Sequence, residues 1–446
     1  MEWAKNTTFI AECTDYTFDG LGIVRYQGMC FFVRNLLVGE QAEIQIMAVK
    51  KNRGYGRVLR LLRTSPQRTA PRCPVAGKCG GCQLQHMSAD LQAQFKRQRV
   101  ADCFRRIGRM EVQPLPVITM QQPWHYRNKV QVPVGVDSQG QIRMGYYRTH
   151  SHDIVDWDRC CLHSELENEI LLCLRELIRR HGNPEQFRHI LIKHAFVTGQ
   201  VMVVLIVNQQ PLTGQAVFVE TLRRRFPQIR SILMQLNQRQ DNVILGDQQT
   251  VLWGDSTIEE ELLGLRFQIS ARAFYQINPL QTAKLYQTAL DFAGLTGSET
   301  LMDVYCGTGT IGLCASRQAK RVIGIEIVPS AVEDARRNAL RNGITNAEFY
   351  CGEAGEWTEK LRKQGIQPDV AIVDPPRKGL DEKTLNALEG MNPQRIVYVS
   401  CDPATLARDC AWLCAHGYQL ERVQPLDMFP ATLHIETIVL LQKLNS

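Results

Sequence analysis

The most regular pattern of hydrophobic and polar positions lies in residues 268–446, where short apolar runs alternate with segments of helical periodicity. Runs such as Val370–Val373 are apolar throughout, which is typical of parallel strands covered on both faces. Asn278-Pro279 predicts a helix N-cap and first helical residue, and Gly343 predicts a helix end. This alternation predicts a doubly wound α/β sheet. The predicted strands are 301–305, 322–325, 370–373 and 396–399, and the predicted helices are 310–317 and 329–342.

The first 63 residues follow a different pattern, in which short apolar runs are separated by glycines. Such runs predict the strands of a small β-barrel, an architecture that commonly binds nucleic acid. The apolar runs are 30–33, 42–47 and 58–62.

Residues 64–267 combine a proline-containing linker, a cysteine-rich loop, a helix and isolated strands, which predicts a mixed α+β domain. We therefore expect three domains, at 1–63, 64–267 and 268–446. The predicted helix of the middle domain is 88–108, and its clearest strands are 130–136 and 201–207.

Composition and charge indicate where in the cell the protein is expected and whether it binds a membrane. The net charge of +7 belongs to the first two domains, because residues 268–446 carry slightly more acidic than basic side chains. Fifteen cysteines, an odd number, argue against a disulfide scaffold. No apolar run approaches the roughly 18 residues of a membrane span, and the N-terminus lacks the apolar core of an export signal. We expect a cytoplasmic, monomeric protein with no membrane partner.

A dense basic cluster lies on the predicted helix 88–108. Such a helix would present either a face suited to RNA phosphates or an ordinary solvated surface. The cluster comprises Lys96, Arg97, Arg99, Arg105, Arg106 and Arg109, opposed only by Asp102.

A glycine-rich turn joins a predicted strand to a helix in the last domain. Gly307, Gly309 and Gly312 form G-x-G-x-x-G, and Glu326 ends the next strand, where an acid can bind ribose hydroxyls. The turn fits an NAD-dependent reductase as well as an S-adenosylmethionine site. Asp374-Pro-Pro-Arg, at the end of a buried strand, favours a methyltransferase, because NAD folds do not need this element.

Cys401 is positioned to act as a nucleophile. It follows a predicted strand and precedes Asp402-Pro403, an N-cap and first helical residue, so the helix dipole should favour its thiolate. A thiolate that adds to carbon 6 of a pyrimidine makes carbon 5 nucleophilic towards a methyl donor. A base must then remove the carbon 5 proton, and Glu436 in the final strand is the candidate, with a pKa raised by partial burial.

The cysteine-rich loop has the spacing of a metal site. Cys73-x5-Cys79-x2-Cys82 supplies three thiols, and Cys160 or Cys161 can supply the fourth. The spacing is compatible with zinc and with an iron–sulfur cluster.

Taken together, these motifs resemble the RNA uracil-5-methyltransferases, and closely the bacterial 23S rRNA branch, over nearly the whole chain. The resemblance implies a Rossmann-like class I methyltransferase domain that binds S-adenosylmethionine. It also implies that an OB-like TRAM barrel and a central domain with a [4Fe–4S] cluster precede this domain.

The resemblance also assigns residue roles. Glu353 stands where some members place an Asn or Asp against the cofactor adenine, which puts that contact in doubt. The implied cofactor residues are Gln276, Tyr305, Glu326 and Asp374, the catalytic residues Cys401 and Glu436, and the cluster ligands Cys73, Cys79, Cys82 and Cys160, with Cys161 as alternative.

The expected reaction is 5-methyluridine formation in 23S rRNA through a covalent adduct between Cys401 and carbon 6 of uracil. tRNA is the alternative substrate; rRNA is favoured because the tRNA-directed branch typically lacks the barrel and the cysteine loop. A 5-methylcytosine enzyme is disfavoured, because those enzymes place the nucleophile after a Pro-Cys element. The rivals from other classes are the NAD-dependent reductase and a non-catalytic RNA-binding or assembly protein.

Overall fold

A computed structural model describes residues 4–444 and contains three sheets of five or more strands. The first closes into a barrel in the order β1-β2-β3-β5-β4, which confirms the predicted barrel. Alternate side chains such as Val24, Phe31 and Ile44 fill its interior. The barrel strands are β1 (Thr8–Tyr16), β2 (Gly22–Tyr26), β3 (Met29–Val33), β4 (Gln41–Lys50) and β5 (Arg53–Arg63).

Helix α1 (Ala89–Cys103) follows the cysteine loop, with Ser88 as its N-cap, and continues into a π-helical turn over Phe104–Gly108. The second sheet has seven strands in the order β12-β11-β10-β9-β6-β7-β8. Its elements are β6 (Lys129–Val136), β7 (Ile142–Tyr147), β8 (Ile154–Asp156), α2 (Glu165–His181), β9 (Phe187–His194), β10 (Val201–Val207), α3 (Gln215–Arg225), β11 (Ile229–Leu236) and β12 (Gln248–Gly254).

A two-stranded hairpin, β13 (Thr257–Leu262) and β14 (Leu265–Ser270), leads into the third sheet. This sheet has the order β17-β16-β15-β18-β19-β21-β20. Its elements are α4 (Pro279–Ala293), β15 (Thr300–Val304), α5 (Thr310–Ala315), β16 (Arg321–Glu326), α6 (Pro329–Arg341), β17 (Ala347–Cys351), α7 (Ala354–Lys363), β18 (Val370–Val373), α8 (Glu382–Met391), β19 (Arg395–Ser400), α9 (Pro403–Ala415), β20 (Tyr418–Leu426) and β21 (Glu436–Lys443).

The placement of the last two strands distinguishes the strand order of this sheet from that of the dinucleotide-binding fold. The first five strands are parallel, as expected, but β21 inserts antiparallel between β19 and β20. The common dinucleotide-binding order, 3-2-1-4-5-6, has no such insertion. The insertion brings the start of β21 next to the end of β19, where Cys401 follows.

Two elements cross the expected domain limits. Strand β14 spans the limit between 267 and 268. Helix α1, expected in the middle domain, buries Val100 and Cys103 in the core of the third sheet together with Phe104. Helix α1 therefore packs against the third sheet and is part of its hydrophobic core.

The basic cluster on α1 is only partly a surface feature. Lys96 is fully buried, with Nζ 2.6 Å from Asp427 Oδ1 and 3.1 Å from the Phe429 carbonyl oxygen. Arg99 is half-buried and donates to the carbonyl of Leu433. Neither interpretation of the cluster, a face for RNA phosphates or a solvated surface, holds for Lys96, because burial against the third sheet pairs its charge with Asp427.

Candidate active site

The carboxyl edge of the third sheet gathers the residues expected to bind cofactor and substrate. Tyr305, Glu326, Asp374 and Cys401 each lie at or directly after the end of a parallel strand. Ligands of open α/β sheets bind at this edge, outside the carboxyl ends of the strands. Glu436 reaches the same edge from the opposite direction, as the first residue of β21.

The side chain of Glu326, the last residue of β16, accepts backbone hydrogen bonds that fix the glycine-rich turn. Glu326 Oε2 accepts from the Gly307 N–H at 3.0 Å, and its Oε1 accepts from the Val328 N–H at 2.8 Å. A β-carbon at Gly307 would meet nothing within 4 Å, so the turn faces open space. Tyr305 has a φ of +68°, a strained conformation for a residue with a side chain and one that is common at functional sites.

Asp303 is a buried site residue that the motif analysis missed. Its Oδ2 accepts from the Gly312 N–H at 2.8 Å, and a β-carbon at Gly312 would approach that oxygen to 2.8 Å. Burial, with a smaller contribution from the nearby Asp374, raises the pKa of Asp303 to about 7. The signal in the sequence was a lone carboxylate inside an apolar strand.

The segment around Gln276 is held by Asn128, directly before β6, and by Lys193 in β9. Asn128 Nδ2 donates to the Gln276 carbonyl oxygen at 2.9 Å. Lys193 Nζ donates to the carbonyl oxygens of Ser270 and Ala273, each at 2.7 Å. The segment that carries Gln276 is therefore fixed between the second and third sheets.

Cys401 lies beside Glu436. Ser400 pairs with Thr437 across β19 and β21, so the residue after Ser400 and the residue before Thr437 are neighbours. Burial, together with the carboxyls of Glu436 and Asp374, raises the pKa of the Cys401 thiol to about 11. The expectation that the helix dipole favours a thiolate is therefore wrong for the free protein, because burial and neighbouring acids outweigh it.

The two carboxyls at this edge hold protons near neutral pH. Burial, followed by the charge of Asp374, raises the pKa of Glu436 to about 8. Burial raises the pKa of Asp374 to about 7. Arg377 opposes the shifts of Glu436 and Cys401, and its guanidinium lies 3.4 Å from His434 Nδ1. The raised pKa expected for Glu436 is confirmed.

Glu353 follows the carboxyl end of β17, at the start of α7. It is the N-cap residue of α7, and its carboxylate is exposed, 4.0 Å from Lys383 Nζ. The structure shows no hydrogen bond from the Glu353 side chain to the α7 backbone.

The expected cluster cysteines line one cavity. Cys73, Cys79, Cys82, Cys160 and Cys161 all contribute to its wall, together with Arg127, Tyr146 and Trp157. Burial raises the pKa of the Cys160 thiol to about 12 and also raises that of Cys161. Within residues 4–444, no three His, Cys, Asp or Glu side chains are grouped tightly enough to hold a single metal ion.

Comparison with known proteins identifies the family. A family model described as tRNA (uracil-5-)-methyltransferase matches residues 89–444. The chain belongs to this family. An uncharacterized RNA methyltransferase of Halalkalibacterium halodurans is 44% identical over 99% of this chain and 98% of its own. One of Clostridium acetobutylicum is 41% identical over the same shares.

A solved structure extends the match to the whole uracil-5-methyltransferase fold. The Pyrococcus abyssi tRNA (uracil-54, C5)-methyltransferase in complex with S-adenosyl-L-homocysteine has a TM-score of 0.75 at 27% identity. The match covers 97% of this chain and 99% of that chain, so it includes most of the barrel. A tRNA methyltransferase therefore shares the N-terminal domain, and this domain does not distinguish rRNA from tRNA as substrate.

Membership of the uracil-5-methyltransferase family, together with the antiparallel β21, excludes the NAD-dependent reductase as a description of this chain. In residues 4–444, no helix has the length and apolar character needed to cross a membrane.

Proposed function

We propose that this protein methylates carbon 5 of a uridine in RNA, with S-adenosylmethionine as methyl donor and Cys401 as covalent catalyst. The observation that carries the proposal is the placement of Cys401 beside Glu436 at the carboxyl edge of the sheet. A nucleophile and a base side by side are what addition to carbon 6 and proton removal from carbon 5 require.

The residues around the glycine-rich turn fit S-adenosylmethionine. The open space at Gly307 leaves room for the ligand, and Glu326 can exchange its backbone partners for ribose hydroxyls. Exposed Ile327, next in the chain, offers an apolar contact for the adenine. Asp374, Tyr305 and Gln276 complete the proposed cofactor residues. When bound, S-adenosylmethionine supplies a methyl group to carbon 5 and leaves as S-adenosylhomocysteine.

Cys401 begins the proposed reaction. Its thiol gives up a proton to solvent, and the sulfur electron pair forms a bond to carbon 6 of the uracil. The carbon 5–carbon 6 double bond then places its electron pair on carbon 5, stabilised by the adjacent carbonyl. Arg377 favours the anionic sulfur, because its charge lowers the pKa of Cys401. The target base must leave its stack to reach this position, so we propose an unpaired loop or bulge as substrate.

Glu436 completes the reaction. After methylation, carbon 5 carries both a methyl group and a hydrogen. The Glu436 carboxylate removes this hydrogen as a proton, its bonding electrons re-form the carbon 5–carbon 6 bond, and the sulfur–carbon bond breaks to release Cys401. Burial of Glu436 keeps the carboxylate basic enough for this step.

The test combines two variants with purified RNA. Cys401→Ser should form neither 5-methyluridine nor a covalent protein–RNA complex. Glu436→Gln should form the complex, visible as a slow band on a denaturing gel, but release little product. A Cys401→Ser protein that still forms 5-methyluridine would refute the catalytic role of Cys401, and a wild type that binds RNA without forming 5-methyluridine would indicate a role in RNA binding alone.

For the RNA substrate, we propose 23S rRNA, with the protein acting as a monomer. The support is the resemblance of the cysteine loop to that of the rRNA-directed branch, since the barrel does not distinguish the two substrates. tRNA is the second candidate, favoured by the name of the matching family and by the Pyrococcus abyssi structure. Mass-spectrometric mapping of 5-methyluridine in rRNA and tRNA from a deletion strain distinguishes them. Loss in 23S rRNA alone supports the proposal, and loss in tRNA alone overturns it.

We further propose that the cysteine cavity holds a [4Fe–4S] cluster on Cys73, Cys79, Cys82 and Cys160. The donor set fits, because these thiols line one cavity and the Gly81 N–H donates to Cys79 Sγ at 3.3 Å. Hydrogen bonds to sulfur are typical of such sites. The buried Nε of Arg127 has no hydrogen-bond partner among residues 4–444, and its charge offsets that of thiolates.

Anaerobic purification tests the cluster proposal. We expect iron, inorganic sulfide and a broad visible absorbance, all lost in Cys79→Ser. One bound zinc without this absorbance would overturn the iron–sulfur assignment, and a metal-free protein would overturn any metal site.

A further inference from the structure

The chain between β20 and β21, residues 427–435, runs directly into Glu436, and we term it the base-bearing segment. It contains neither helix nor strand, so hydrogen bonds from other parts of the chain must hold it. Ala431 within it has a φ of +65°, a left-handed conformation that is costly for a residue with a β-carbon. Its surroundings therefore determine where Glu436 is held.

Gln83, directly after Cys82, joins the cysteine loop to this segment. Its side-chain Nε2 donates to the Gly80 carbonyl oxygen at 2.7 Å, within the loop. Its Oε1 accepts from the Leu433 N–H at 3.4 Å, three residues before Glu436. The side-chain amide of Gln83 therefore bonds to the cysteine loop through its nitrogen and to the base-bearing segment through its oxygen.

Main-chain hydrogen bonds also join the residues after Cys82 to the base-bearing segment. The N–H groups of Gln83 and Leu84 both donate to the Ala431 carbonyl oxygen, at 3.1 and 3.0 Å. The bonds at Ala431 and Leu433 fix the segment on the side facing the cysteine loop.

Helix α1 holds the segment from the other side. Gln92 Oε1 accepts from the Ala431 N–H at 2.9 Å, and its Nε2 donates to the Met87 carbonyl oxygen at 3.0 Å. Both polar groups of the strained Ala431 peptide are therefore bound by residues between 83 and 92. Like Gln83, Gln92 bonds to the base-bearing segment through its side-chain oxygen, and its side-chain nitrogen bonds to the Met87 carbonyl oxygen.

We propose that Gln83 and Gln92 are positioning residues that place Glu436 for proton removal, by holding the base-bearing segment against the cysteine loop and α1. The inference rests on the proposed function of Glu436 and goes beyond it, because it gives the Gln after the third loop cysteine a role in catalysis. The cysteine loop then braces the segment that carries the catalytic base.

The two chemical steps should respond differently to loss of these contacts. Cys401 is held separately, by β19 and by the Asp402 cap, whose Oδ1 accepts from the N–H groups of Ala404 and Thr405 at 2.9 and 3.3 Å. Loosening the base-bearing segment should leave addition of Cys401 intact and slow removal of the carbon 5 proton. The covalent complex should therefore accumulate relative to product.

The test measures the ratio of covalent protein–RNA complex to 5-methyluridine for the full-length protein, the RNA that the wild type methylates and S-adenosylmethionine. Gln83→Ala and Gln92→Ala should each raise this ratio roughly three- to tenfold, the effect of one lost hydrogen bond of ordinary strength. Gln83→Glu retains the acceptor for Leu433 and should lie nearer the wild type. Gln94→Ala, exposed on α1, is the matched control and should leave the ratio unchanged.

The outcomes separate this inference from the proposed function. A wild type that forms neither complex nor 5-methyluridine refutes the proposed function. A wild type that methylates, with unchanged ratios in folded Gln83→Ala and Gln92→Ala, refutes the inference alone. Because Gln92 lies outside the cysteine loop, its variant decides the matter if Gln83→Ala loses the loop structure. Equal slowing of both steps would indicate general destabilisation and also refutes the inference.

Discussion

Replacing Glu436 with glutamine should stabilise the folded protein increasingly as the pH rises. In the folded state, burial and the neighbouring Asp374 raise the pKa of Glu436 from 4.5 to about 8. Between these values the folded state retains a proton that the unfolded state has lost, so the wild type loses stability as the pH increases. Glutamine does not ionise and avoids this loss.

The size of the effect follows from the two pKa values. One pKa unit corresponds to about 1.4 kcal/mol, so the Glu436 shift opposes folding by roughly 5 kcal/mol well above pH 8. The corresponding value is on the order of 3 kcal/mol at pH 7 and about 1 kcal/mol at pH 5. The new amide adds a cost of about 1–3 kcal/mol if its donors stay unpaired, but this cost does not vary with pH.

Urea denaturation of wild type and Glu436→Gln at pH 5, 7 and 9 measures the difference in unfolding free energy. We expect the difference to move in favour of the variant by a few kcal/mol across this range. Glu333→Gln, on the exposed face of α6, is the control and should give a constant difference. A Glu436→Gln difference that is equally constant, or that moves towards the wild type, would refute the reasoning.

Three further predictions test other parts of the structure. Lys96→Met leaves Asp427 buried without its partner and should cost about 3–5 kcal/mol in urea unfolding; removing both charges together should cost less, and an equal cost would contradict the pairing argument. Cys160→Ser should abolish the visible absorbance of the proposed cluster while Cys161→Ser retains it, and the reverse result would exchange the two ligands. Gly309→Ala should cost about 1–2 kcal/mol and weaken S-adenosylmethionine binding in calorimetry, because Gly309 has a φ of +78° and a β-carbon there lies 3.0 Å from the Ala335 side chain; unchanged stability would show that the turn relaxes.

The sequence predicted the elements of the third sheet because their signals are local. The apolar run at Val370–Val373 is a strand, and Asn278 and Asp402 cap their helices as expected. Burial on both faces and capping each depend on a few adjacent residues, so one sequence suffices. The placement of Cys401 beside Glu436 depends instead on the antiparallel insertion of β21, and the spacing of residues does not contain this information.

Burial explains where residue-based reasoning failed. Lys96 and Arg99 look like surface cations in sequence, but α1 packs against the third sheet and burial takes Lys96 out of water. Asp303 escaped notice because its role depends on the Gly312 N–H, which the turn brings within 2.8 Å. In each case, the residues that bury the side chain or hydrogen-bond to it lie on a different helix, strand or turn.

The raised pKa values of Cys401, Glu436 and Asp374 have one physical origin. Three acidic groups share an edge where burial penalises each charge, and Arg377 is the cation that opposes the shifts of Cys401 and Glu436. In the free protein, protons therefore neutralise the thiol and much of both carboxyls at neutral pH. A cationic methyl donor beside Asp374 would favour its ionised form, and a bound uracil would consume the thiolate as it forms. Under the proposed mechanism, the high pKa of Cys401 would restrict activation of the nucleophile to the site with both substrates present, and it would protect a partly exposed thiol from other reactions.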